Sequence, residues 1–280
     1  MMAITSSLLS LFATDSSQTS SMLTALYGGG ASISSGAQNS LSALKFAESN
    51  ETKSVAATAK QSDVQRDIAA FLHGVASAPD AATALKNPAV LKVLLTANGL
   101  GDQLGYTALA TKTLLSNIKD KKSLANTLSD TRWKAVVQTF DFANKGLSVL
   151  NSAAVMNTIT NGYAEIVWRK SLDATTPGLS NALTFRSQAA GIKTVDQILG
   201  NSTLRTVVTT ALNIPQEIAF QGLLAQEKAI SSRVDITRFQ DPKFVETFTQ
   251  RYLIAAGNAA TGASGGGPTG SGFSIASLIV

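Results

Sequence analysis

The chain contains no cysteine and a single histidine, His73. Without cysteine there is no disulfide framework, no thiolate zinc ligand and no thiol nucleophile, and either redox compartment is tolerated. One histidine rules out a zinc site with two or more His ligands and leaves one residue able to serve as the base of a Ser-His-Asp triad. Charge is also sparse: Asp, Glu, Lys and Arg make up 15% of the residues, against about 25% in an ordinary soluble domain. No stretch approaches 18 continuous apolar residues, so no membrane span is expected. Strand-like alternation is scarce. The stretch from Met1 to Ala13 lacks a basic leader, and serines interrupt its short apolar run, so a secretory signal peptide is not expected.

What is present suits a sizeable helical core. The chain has 280 residues, 44% of them apolar, enough for one large domain or two small ones. Ser, Thr, Asn and Gln supply much of the polar surface, a composition that suits proteins assembling with others. The net charge is +5, but the basic residues are scattered. The densest run, Lys119, Lys121 and Lys122, is interrupted by Asp120. A nucleic-acid footprint gathers Lys and Arg on one face to neutralise adjacent phosphates. The run reads instead as a solvated loop, and no nucleic-acid partner is expected.

The middle of the chain carries an internal match. NPAVLKVLLTANGLG from Asn87 aligns with NSTLRTVVTTALNIP from Asn201, an offset of 114 positions. Each begins with an Asn suited to accept from an orphan N–H of a first helical turn. Pro88 follows at the first helical position, where its missing donor costs nothing; Ser202 replaces it in the second stretch. Val90, Val93, Leu94 and Ala97 then fall on one helix face, as do Leu204, Val207, Val208 and Ala211. Gly99 and Asn213 match at the end, where a left-handed residue closes a helix, and Leu100 and Ile214 follow for the hydrophobic contact of a Schellman end. Upstream, Phe71 matches Phe185 and Leu85 matches Leu199, and Thr194 and Gln197 have capping-box spacing. Downstream, Leu104 matches Ile218, Tyr106 matches Phe220 and Leu109 matches Leu223. After a three-residue gap the offset becomes 111, pairing Asp130 with Asp241, Trp133 with Phe244 and Val137 with Phe248.

These observations predict an all-α protein: two diverged copies of a roughly four-helix unit, joined by a long helix, with flexible N- and C-terminal segments. The expected boundaries are a Ser/Gly-rich segment over 1–60, a first copy over 61–146, a connecting helix over 147–178, a second copy over 179–256, and a Gly-rich linker with an apolar tail over 257–280. Residues 14 to about 55 bury too little apolar surface to offset their ordering entropy, although Ser40 to Glu48 has some helical character. The two units either bury separate cores or pack face to face about an approximate two-fold.

No constellation points to catalysis, to a cofactor or to a metal. His73 sits beside core-like Phe71 and Leu72, with no second histidine and no nucleophile elbow. Gly99-Leu100-Gly101-Asp102 lacks the Gly-Lys-Ser/Thr of a P-loop and the strand that precedes a dinucleotide fingerprint, so it reads as a helix cap. Asp63, Asp67 and Asp80 are too scattered for a calcium loop. Trp133, Phe140, Phe142, Phe244, Phe248 and Tyr252 fall at helical spacing, and core packing is expected for them.

The ends supply the candidate interaction residues. Gly257 to Gly272 has linker composition and leads into Phe273-Ser274-Ile275-Ala276-Ser277-Leu278-Ile279-Val280. This tail either packs on the chain's own core or docks on a partner or neighbouring subunit as an added strand or helix. Phe273, Ile275, Leu278 and Ile279 would make that contact. Ile4, Leu8, Leu9, Leu11 and Phe12 are their counterparts at the N-terminus.

The stretch NPAVLKVLLTANGLGDQLGYTALATKTLL, with LANTLSDTRWKAVVQTFDFANKG after it, resembles the family of the domain of unknown function 1217, alphaproteobacterial proteins encoded among flagellar genes. Asn87-Pro88, Gly99 to Asp102 and Asp130 to Trp133 carry the resemblance, which extends over roughly 65–256. The second stretch departs from it, with Asn213-Ile214-Pro215 in place of the glycine turn and Phe244 in place of Trp. The resemblance implies a non-enzymatic flagellum-associated structural or assembly protein, located in the flagellum or secreted. Its partners would be other flagellar or export-apparatus proteins, or further copies of itself. The alternative is a cytoplasmic helical adaptor or regulator of flagellar assembly.

Overall fold

Asn87 accepts a hydrogen bond from the N–H of Ala89, at 2.9 Å, and so starts the helix that opens with Pro88. A computed structural model describes residues 35–265, and among them it contains helices and turns but no strand. The α-helices are α1 (Ser35–Thr58), α2 (Ser62–Ala76), α3 (Ala81–Ala84), α4 (Pro88–Ala97), α5 (Thr107–Leu114), α6 (Leu124–Thr127), α7 (Thr131–Phe140) and α8 (Phe142–Lys145). They continue with α9 (Ala153–Leu172), α10 (Leu179–Gln188), α11 (Val195–Gly200), α12 (Ser202–Ala211), α13 (Leu223–Ser231) and α14 (Pro242–Gly265).

The two stretches matched in sequence have the same local shape. α4 and α12 are both 10 residues long. Asn201 accepts from the N–H groups of Thr203 and Leu204, as Asn87 does from Ala89. Both helices close with Schellman bonds. Leu100 donates to the Leu95 carbonyl and Ile214 to that of Thr209, each at 2.8 Å, while Gly99 and Asn213 donate to Thr96 and Thr210. Gly99 sits at φ +72° and Asn213 at φ +51°, the left-handed conformation these two residue types adopt at least cost. The neighbouring starts agree as well. Asp130 and Asp241 each accept from a backbone N–H two residues on, and Asp80 and Thr194 from one three residues on.

The apolar faces collect into two clusters. One gathers Phe71, Leu94, Trp133 and Phe140 with Ile159 and Tyr163 of α9. The other gathers Phe185, Val208, Phe239 and Phe248 with Leu44 of α1 and Trp168 of α9. α9 therefore serves both: its first half lies on α4 and its last turns face α10 and α1. Phe185, Phe239 and Phe248 meet at ring-centroid distances of 5.1–5.6 Å, the separations that aromatic rings favour.

Three expectations are corrected. Residues 35–58, placed in a flexible segment over 1–60, form α1. Leu41, Leu44 and Ala47 are buried on its inner face, where it packs against α14 and α9. The small residues that weaken a free helix allow this close packing, and neighbouring helices supply the apolar surface that the segment lacks alone. Residues 257–265, placed in the C-terminal linker, continue α14, because a helix already nucleated upstream extends at small cost per residue. The connecting helix begins later than 147: residues 146–151 form a 3-10 turn, Ser152 is extended, and α9 starts at Ala153.

Candidate functional site

Two surfaces bring polar side chains together that lie far apart in the chain. The first is a clasp between the halves. Arg132, on the first turn of α7, has a side chain only 11% exposed. Its guanidinium reaches Asp130 at 2.6 Å and Asp102 at 3.0 Å, and also donates to the carbonyl of Gly99. Asp102 in turn accepts from the hydroxyl of Ser202 at 2.9 Å, across to the first turn of α12. Burial alone would raise Asp102, but hydrogen bonds from Arg132, Gln103 and Ser202, with the Arg132 charge, hold its carboxyl below the usual range. Burial likewise opposes the charge on Arg132, and the two aspartates outweigh it. At the same junction the backbones touch: a Cβ on Gly200 would lie 2.7 Å from the Ser129 carbonyl oxygen. A cleft of about 400 Å³ runs beside the clasp, with Asn98, Arg132 and Val136 on one wall and Gln188, Asn201 and Leu204 on the other.

The second surface is a basic cleft of about 490 Å³ where the turn after α13 meets the start of α14. Its floor is apolar, formed by Leu212, Val234, Phe244 and Phe248, and its rim carries Arg233, Arg238, Lys243 and Arg251. The Arg238 guanidinium carbon lies 4.1 Å from the centroid of the Phe244 ring, a cation–π arrangement. Among the described residues none of these four cations forms an ion pair. Asp235 and Asp241 also line the cleft. Their carboxylates are engaged by backbone N–H groups of Thr237 and Lys243, and hydrogen bonds from Thr237, then the charge of Arg238, hold Asp235 low.

The matched aromatic positions Tyr106 and Phe220 are 61% and 91% exposed. Both sit in the loop after a Schellman turn, where the chain has left the helix face that packs inward. Leu223 and Leu224 extend the exposed apolar surface beside Phe220. Trp133, Phe140, Phe142, Phe248 and Tyr252 are buried, in keeping with core packing, while Phe244 is half-buried against the cluster and forms part of the cleft floor. His73 is exposed on α2. Gly99 to Asp102 form the helix end and a 3-10 turn rather than a phosphate loop. Lys119, Lys121 and Lys122 are exposed on a loop, where Asp120 accepts from the N–H of Lys122.

The candidate interaction residues Ile4, Leu8, Leu9, Leu11, Phe12, Phe273, Ile275, Leu278 and Ile279 lie outside the described residues. Among the described residues no three His, Asp or Glu side chains converge in a metal-binding arrangement, and no helix is long and apolar enough to cross a membrane. Sequence reasoning missed the basic cleft because its cations are spread from position 233 to 251. The signal was faint: four basic residues around a short 3-10 segment, with acids beside them.

The family model described as "Protein of unknown function (DUF1217)" matches residues 97–245, just over half of the chain and the stretch that contains the whole clasp. The chain belongs to this family. The DUF1217 match runs from the end of α4 to the start of α14, so it takes in parts of both halves and the helix between them. The crystal structure of protein AGR_C_984 from Agrobacterium tumefaciens is similar, with a TM-score of 0.65 and 23% sequence identity, covering 81% of this chain and 96% of that one. At that identity the likeness speaks for the fold alone. Comparison with curated proteins gives no match.

Proposed function

We propose that this DUF1217 protein is a non-enzymatic, flagellum-associated structural or assembly protein that is exported or acts at the export apparatus. It works through helical surfaces, on a scaffold built from a duplicated helical unit. The flagellar association rests on the residue-level resemblance at Asn87-Pro88, Gly99 to Asp102 and Asp130 to Trp133. The observation that carries the binding role is the exposure of large apolar side chains within one short stretch, from the end of a 3-10 turn to the start of α13: Phe220 is 91% exposed and Leu224 is 81% exposed. Exposed apolar side chains grouped on a polar surface mark interaction sites. The polar groups drawn together at the junction are engaged with one another in an ion-paired clasp, the arrangement of a structural joint.

Fractionation tests the reading. Tagged protein should appear in the shear-released flagellar fraction or the culture supernatant, and should be lost from both in a flagellar export mutant. Protein found only in the cell interior, in wild type and mutant alike, would instead favour the cytoplasmic adaptor.

A further inference from the structure

We propose that the basic cleft formed by Arg233, Arg238, Lys243 and Arg251 over Phe244 and Phe248 is a docking site for an acidic, apolar segment of another protein. The inference rests on the protein-binding role above but not on where in the cell it is exercised.

The internal match supplies the first argument. Leu212, Lys243 and Thr247 of this cleft stand at the positions that match Asn98, Arg132 and Val136 of the first half. In the first half that face is walled by another element, because Gln188, Asn201 and Leu204 of the second half stand across from it. Asp130 there is buried, and Arg132 is nearly so. In the second half the matching Asp241 and Lys243 are exposed. The same face is thus partly covered by protein once in this fold, across the cleft beside the clasp, and open once.

Charge names the occupant. In the covered case the cation, Arg132, is neutralised by Asp102 and Asp130. In the open case Gln216 stands at the position matching Asp102, and the four rim cations have no ion-pair partner among the described residues. A visiting segment with carboxylates for the rim and an apolar side chain for the Phe244 and Phe248 floor satisfies both. A nucleic-acid strand fits less well: the floor is apolar, and a continuous run of phosphates would have to pass Asp235 and Asp241, whereas a peptide can place a few carboxylates beside the rim cations and away from those two acids. A second copy of this chain, docked as the second half docks on the first, is excluded by sterics. That joint needs Gly200 against the Ser129 carbonyl, and the matching position in the first half is Lys86.

The test is peptide-display selection on the intact protein with a short random-peptide library, followed by fluorescence-polarisation titration of the enriched sequence. The expected consensus combines Asp or Glu with Leu or Phe. Its affinity should fall by about tenfold or more in the Arg238→Glu/Arg251→Glu variant and fall steeply with added salt. Both sites are exposed, and circular-dichroism melting confirms that the variant is folded. Should it melt early, the Arg238→Gln/Arg251→Gln pair takes its place with the same expected direction. A neutral or basic consensus, no enrichment, or equal binding by wild type and variant overturns the proposal. So does tighter binding of a single-stranded DNA oligonucleotide lost in the same variant, which would make the cleft a nucleic-acid site. Cytoplasmic localisation would leave a positive binding result standing, so the two proposals fail separately.

Discussion

Arg132 is a nearly buried cation that joins segments distant in the chain. It ties the turn after α4 to the start of α7, and through Asp102 to Ser202 on α12. Removing one partner of a buried ion pair leaves the other charge desolvated and alone, so Arg132→Ala is expected to cost about 3 kcal/mol, read as a lower urea midpoint. Asp102 gives the arrangement a pH dependence. Its carboxyl titrates below the ordinary value of 3.8 in the folded chain, so its contribution is present above the unfolded pKa and is lost as pH falls through the folded one. Stability should therefore drop with acidification below about pH 4, less steeply in Asp102→Asn than in wild type. An equal slope in both would show that Asp102 is not the group responsible. Gly200 is the steric counterpart: with 2.7 Å to the Ser129 carbonyl oxygen, Gly200→Ala should destabilise by about 1–3 kcal/mol.

At the scale of single elements, helix ends and helix faces are decided by different physics. The Schellman ends of α4 and α12 depend on a residue that tolerates positive φ. Asn213→Val, which places a β-branched side chain at φ +51°, is expected to cost about 1–2 kcal/mol, whereas Asn213→Gly should be nearly neutral. α1 is decided instead by its surroundings. Leu44 is 2% exposed within the cluster of the second half, and Leu44→Ala should cost about 2–4 kcal/mol if α1 is part of the core. Thermal melting of that variant checks it, since a mobile segment would give almost no change. The exposed Leu223 and Leu224, next to exposed Phe220 in the preceding turn, set α13 apart, because among its residues only Ile230 is buried.

For the molecule as a whole, α9 links the two apolar clusters, and one buried tryptophan reports on each side. Trp133 belongs to the first cluster and Trp168 to the second. In Trp133→Phe and Trp168→Phe variants the remaining tryptophan should show the same urea midpoint as far-ultraviolet circular dichroism, once each variant is referred to its own melt. Coincident probes indicate one cooperative unit. Two separated transitions would mean that the clasp and α9 do not couple the halves.

The all-α class, the matched caps at Asn87 and Asn201, the left-handed closures at Gly99 and Asn213, and the buried stripes between them were legible in the residues. Each is governed by contacts within a few positions of the chain: a side chain on a nearby N–H, a backbone angle, a 3.6-residue spacing. The course of residues 35–58, the clasp from Arg132 to Ser202 and the basic cleft were not legible. They depend on groups brought together from distant positions, where burial changes what a side chain is worth. Helix α1 acquires its core face only from α9 and α14, and four unremarkable basic residues become a cleft only when the turn after α13 folds against α14. Local chemistry specified the helices, and long-range packing decided which polar groups pair and which stand open to solvent.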